Sequence, residues 1–192
     1  KLYYFSNNLP TEKQCVGYFN LYIVPHNIAK YCREVQKLAN FLANKVEEAG
    51  IPINKEFVSR LALLHDIFKM AAIQNTKPNK FHQQIFTEEE LQMREKLRND
   101  FPDMYESEIA YNIFNDEFPE LALSLKHYND RIIENPSWEE LIVHYADCRT
   151  FRTEITPLSV RLAYLKEFYP GEDERWDRIW EKVKELEEKI LS

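Results

Sequence analysis

Apolar residues recur at alternating steps of four and three through Ile28, Cys32, Val35, Ala39, Leu42 and Val46, the stripe of a helix with one face on a core. Gly50 follows, where a helix end favours a residue that accepts left-handed backbone. Asn54 is the predicted N-cap of the next helix. That helix runs through LALLHDIFK (Leu61 to Lys69) and is apolar on nearly all sides, as a central buried helix is. Upstream, Ser6, Asn7, Asn8 and Pro10 predict a turn, and a short helix from Thr11 carries Val16, Phe19, Leu21 and Ile23. Downstream, Gln74 to Phe86 is polar and reads as a long loop, either a functional lid or a tolerated surface insertion.

Thr87 with Glu90, and Ser137 with Glu140, have the spacing of capping boxes. The first opens a charged, exposed helix and the second opens SWEELIVHYADCRTF. Two short helices are predicted between them, over Glu106 to Phe114 and Leu121 to His127, split near Phe118 and Pro119. Thr156 and Pro157 start another helix, which ends at Tyr169, Pro170 and Gly171. The last, Asp173 to Leu191, aligns Trp176, Ile179, Trp180, Val183, Leu186 and Ile190 on one face. No strand and no repeat is predicted. The expectation is an all-α, single-domain helical bundle, with 1–24 as a helical lead-in, 25–170 as the core and 171–192 as a docking helix of the same domain.

Composition agrees: three glycines in 192 residues, 30% charged and 14% aromatic suit a helical protein with large side chains filling its gaps. A net charge of -7 argues against general attraction to nucleic acid or an anionic membrane. No apolar run reaches the ~18 residues of a membrane span, and no signal-peptide pattern opens the sequence. A soluble, cytoplasmic protein is expected. Cys15, Cys32 and Cys148 are odd in number and lack C-x-x-C spacing, so neither a disulfide framework nor a zinc knuckle is suggested. Three glycines also exclude a glycine-rich phosphate cradle.

The candidate chemistry lies in the apolar runs. His65 and Asp66 interrupt LALLHDIFK, and Asp147 follows LIVHYA. Burying an imidazole and two carboxylates costs several kcal/mol unless hydrogen bonds, opposite charge or a metal ion take up their polar atoms. Together they suit a divalent-metal site. The blander readings are a helix-end His127, an exposed His26 and His82, a core role for His144, a surface Lys69, and packing tyrosines at Tyr31 and Tyr105. Cys148 is a poor nucleophile candidate, because the carboxylate beside it raises a thiol pKa.

The segments VPHNIAKYCREV, ALLHDIFK, FPELALSLKH and WEELIVHYADCRTF, in this order, resemble the HD-domain superfamily of metal-dependent phosphohydrolases. The resemblance runs from Pro25 to Tyr169. It implies an all-α bundle in which His65, Asp66 and Asp147 are metal ligands and His127 matches a histidine used with a second metal. Asp66 and Lys69 would carry catalysis, with Lys69 reaching substrate phosphate, and Arg149 would support Asp147 or the phosphate. The implied chemistry is attack on a nucleotide or other small phosphoester by metal-activated water.

Two positions depart from the pattern. Tyr31 stands where the family has its first metal-binding histidine, and Tyr105 where it has another, just before Glu106. A phenol, with a pKa of about 10, is a poor ligand for zinc or magnesium but a good one for ferric iron. The alternatives are therefore a divalent ion (manganese, iron, magnesium or zinc), ferric iron with Tyr31 as a ligand, recruitment of His26, or a lost metal site. The last would leave a module that binds a nucleotide or a protein partner, on whose bases two tyrosines could stack.

Overall fold

Side-chain caps mark where four of the described helices begin. The computed structural model describes residues 8–128 and 136–191, so the turn expected at Ser6 and Asn7 lies outside the described residues. In α1 (Glu12–Leu21), Thr11 and Gln14 cap each other's backbone. Next, α2 (His26–Glu48) ends on Gly50 at φ +85°, with Gly50 N–H donating to the Glu47 carbonyl at 2.9 Å and Ile51 N–H to that of Val46 at 3.2 Å. These two bonds take up carbonyls that the helix end leaves free. The Asn54 side chain accepts from Phe57 N–H at 3.0 Å and starts α3 (Lys55–Leu64).

A single turn, α4 (Lys69–Ala72), follows. Capping boxes at Thr87 and Ser137 open α5 (Glu88–Asp100) and, after α6 (Glu106–Phe114) and α7 (Pro119–His127), α8 (Trp138–Arg149). The strands β1 (Thr150–Phe151) and β2 (Glu154–Ile155) form an antiparallel hairpin, with Thr150 opposite Ile155. Then come α9 (Leu158–Phe168) and α10 (Asp173–Leu191).

The all-α, single-domain expectation holds. The predicted stripe of α2 is buried throughout, and α3 is buried on nearly all sides because it contacts α1, α2, α7 and α8. One continuous core results, and α10 lies over α8 and α9 with Trp176, Ile179, Val183 and Leu186 inward. Among the described residues, no helix is long and apolar enough to cross a membrane.

Four local expectations change. The helix predicted through LALLHDIFK stops at Leu64, and tight turns carry His65 to Phe68 before α4. The helix predicted to reach Phe151 stops at Arg149, where Thr150 hydroxyl donates to the Ala146 carbonyl at 2.8 Å and the chain enters β1. Strands were not expected, yet a short hairpin forms with Arg152 at φ +59° in its turn. Finally, α1 buries Cys15 and Phe19, while Leu21 is exposed on its last turn and Ile23 is exposed beyond its end.

Packing at α3 gives a stability prediction. Leu61→Ala should cost about 2–5 kcal/mol, whereas Leu123→Ala, at an exposed position of α7, should stay within about 0.5 kcal/mol. Urea unfolding checks both, and equal losses at the two sites would contradict the central place assigned to α3.

Candidate functional site

The break after α3 creates the site. In a continuing helix, Asp66 N–H would donate to the Ala62 carbonyl. Instead His65 Nδ1 lies 2.6 Å from that carbonyl oxygen. A carbonyl can only accept, so Nδ1 carries the hydrogen and donates it. The Asp66 backbone N–H, freed from the helix, is offered to the buried Cys32 sulfur on α2.

With Nδ1 held this way, Nε2 of the fully enclosed ring faces Asp66 Oδ2 at 3.8 Å and Asp147 Oδ1 at 3.7 Å. Neither is within hydrogen-bonding distance, and Nε2 has no hydrogen-bond partner among the described residues. A neutral ring would turn its lone pair towards two carboxylates. Such an arrangement needs positive charge between the three groups, either a proton on Nε2 or a metal ion. Burial pushes the His65 pKa down, but Asp66 and then Asp147 more than reverse this and hold it above the usual value.

Tyr31 closes the α2 side. Its hydroxyl donates to Asp147 Oδ1, the oxygen that faces His65. Arg161 on α9 donates to the same hydroxyl at 3.4 Å. Burial, and then the charge of Asp147, raise the Tyr31 pKa well above that of an ordinary phenol, which keeps its proton in place. The Tyr31 and Tyr128 rings lie 5.9 and 5.0 Å from the His65 ring, and Tyr128 stacks on His144 at 4.4 Å.

Lys69 lies one turn beyond His65, with Nζ 3.1 Å from Glu106 Oε1 and 3.9 Å from Asp66 Oδ1. The charge of Asp66, opposed by burial and helped by Glu106, raises its pKa, so it remains a cation.

The structure therefore brings His65, Asp66, Asp147, Tyr31 and Lys69 together. It places three other sequence candidates elsewhere. His127 is 40% exposed in its side chain and sits 3.8 Å from Glu140, because the next residue, Tyr128, is the one turned inward on His65. Arg149 donates to the Thr156 carbonyl at 2.9 Å, the Tyr145 hydroxyl at 2.6 Å and Glu187 at 3.0 Å, on the side of α8 under α10. Tyr105 is 71% exposed at the start of α6, while its neighbour Glu106 turns inward to Lys69. The loop of residues 74–86 rests on α9, with Phe81 against Tyr164 and Phe168 and Lys80 2.8 Å from Glu167. Arg161 is the site residue that sequence reasoning missed.

The donor chemistry fits a divalent ion, with one imidazole nitrogen and two carboxylates around an orphaned buried atom. Catalytic sites often use three protein donors and leave a position open. The spacing is looser than a finished cage. Edges of 3.7 and 3.8 Å exceed the about 3.4 Å edge of a tetrahedron with about 2.1 Å bonds. As the side chains stand, no group of three or more His, Cys, Asp or Glu among the described residues could hold a metal ion.

One prediction concerns pH. Because the folded-state pKa of His65 is raised, protonation stabilises the metal-free fold. That contribution is fully present below about pH 6.5, the unfolded value, and is lost as pH rises through the folded value. In chelator, the urea midpoint of the parent protein should fall over this window by an amount that His65→Gln lacks; identical pH slopes would refute it. The chain matches no protein-family model, no curated protein and no solved structure, so the site is read from its own geometry.

Proposed function

We propose that His65, Asp66 and Asp147 bind one divalent cation, and that the chain is a metal-dependent phosphohydrolase of the HD type acting on a nucleotide or other small phosphoester. The observation that carries the proposal is His65 Nε2, buried, without a hydrogen-bond partner among the described residues and facing two carboxylates. When bound, the ion supplies Lewis acidity towards the phosphoester and the attacking water. Asp66 is the most exposed of the three donors; it orients that water and takes its proton as the P–O bond to the leaving group breaks. Lys69, kept cationic by Asp66 and Glu106, meets the phosphoryl oxygens.

A second reading is favoured by a different observation. The Tyr31 hydroxyl is already bonded to the Asp147 oxygen that faces His65, so the position matching the family's first histidine contributes a hydrogen bond and no lone pair for a metal. On this reading the chain is a non-catalytic module that binds a nucleotide or a protein partner. The ferric alternative asks Tyr31 to give up a proton that burial and Asp147 hold in place.

Turnover of a generic aryl phosphate separates the readings. The hydrolase should show manganese-dependent activity that chelator removes and Asp66→Ala lowers by at least about 100-fold, a loss of a few kcal/mol of transition-state stabilisation. His127→Ala should change it less than about two-fold, because His127 lies outside the cluster. Nucleotide binding without turnover, with or without metal, would overturn the hydrolase in favour of the module.

A further inference from the structure

We infer that Arg161 is the anion-binding arginine of this site and contacts the phosphate of its ligand, the place that the sequence suggested for Arg149. The inference deepens the phosphoester reading and rests on it for the ligand class, while the choice of arginine rests on donor geometry.

A guanidinium has five N–H donors. Three protein oxygens engage Arg149, among them the Glu187 carboxylate, which also neutralises it. Arg161 makes one hydrogen bond, to the Tyr31 hydroxyl, and no ion pair with any described residue. Four of its donors remain. Its position is nevertheless defined, because its guanidinium carbon lies 5.7 Å from the centre of the Phe151 ring and 5.6 Å from that of Tyr164. Cations on aromatic faces are attracted by the ring quadrupole, and an arginine resting against two adjoining rings gives up less freedom when it binds a ligand. The hairpin that stops α8 supplies Phe151, so an otherwise incidental pair of strands helps place the side chain.

Asp66, Asp147 and Glu106 bring carboxylates to the cluster, and Lys69 and His65 stand among them. Arg161 beside Tyr31 adds positive charge on the α9 side of these groups, which draws a phosphate dianion towards it. Arg161 also reaches Asp147 through one shared hydroxyl, its N–H donating to Tyr31 oxygen and the Tyr31 hydrogen donating to the carboxylate.

The test is calorimetric titration of inorganic phosphate into the full chain, with magnesium in excess and again in chelator, with magnesium affinity measured separately. Arg161→Gln should weaken phosphate binding ten-fold or more, with a smaller change in magnesium affinity and with cooperative urea unfolding retained. Arg161→Lys, which keeps the charge and loses the planar fork, should weaken phosphate less than Arg161→Gln does. Arg149→Gln should bind phosphate within two-fold of the parent. Phosphate binding that is equal in parent and Arg161→Gln overturns the inference and leaves the hydrolase reading standing if magnesium still binds. No phosphate binding by the parent in either condition also overturns it. If magnesium never binds but Arg161→Gln abolishes phosphate binding in chelator, the hydrolase reading falls and the anion site stands.

Discussion

One hydrogen bond, from His65 Nδ1 to the Ala62 carbonyl, sets the rest of the site. It takes the acceptor that would continue α3, so the helix ends inside the core. It also fixes the tautomer, and with it the atom that faces Asp66 and Asp147. A ring free to flip could pair either nitrogen with a carboxylate; this ring presents Nε2 alone. The chain that leaves the broken helix then carries Asp66 and Lys69 around to the same opening, where Glu106 meets them from α6.

Burial of so many polar groups is expensive, and the surrounding contacts show how it is offset. Asp147 receives the Tyr31 proton, Tyr31 receives an Arg161 N–H, and Lys69 sits between Asp66 and Glu106. His65 Nε2 and the Tyr128 hydroxyl are exceptions, both buried without a hydrogen-bond partner among the described residues. An unsatisfied buried polar atom costs about 1–3 kcal/mol, and the two here lie near the Asp66 and Asp147 carboxylates, which is the observation behind the proposed ion site. Tyr31 limits what that can be, because its proton already occupies one oxygen of Asp147.

Much of this was legible in the sequence. Charges set inside apolar runs identified His65, Asp66 and Asp147, and the period of α2 gave its buried face residue by residue. The break at His65 was not legible, because no glycine or proline marks it and a side chain's choice of acceptor has no periodicity. His127 and Tyr128 are adjacent, and a shift of about 100° around a helix axis decides which one faces His65. Arg161 reads as an ordinary solvated arginine on an amphipathic helix. Only the packing of Phe151 and Tyr164 beside it, through a hairpin too short to leave an alternating pattern, distinguishes it from Arg149.

The central claim is that Nε2 of His65 is a ligand atom. Nitrogen-15 NMR of the imidazoles, recorded as zinc or cadmium is titrated into the metal-free chain, addresses that atom directly. The account predicts that His65 Nε2 moves to the range of a metal-bound nitrogen while Nδ1 stays protonated, and that Asp66→Ala abolishes the change. A His65 ring that keeps a proton on both nitrogens, with neither resonance responding to saturating metal, would contradict it.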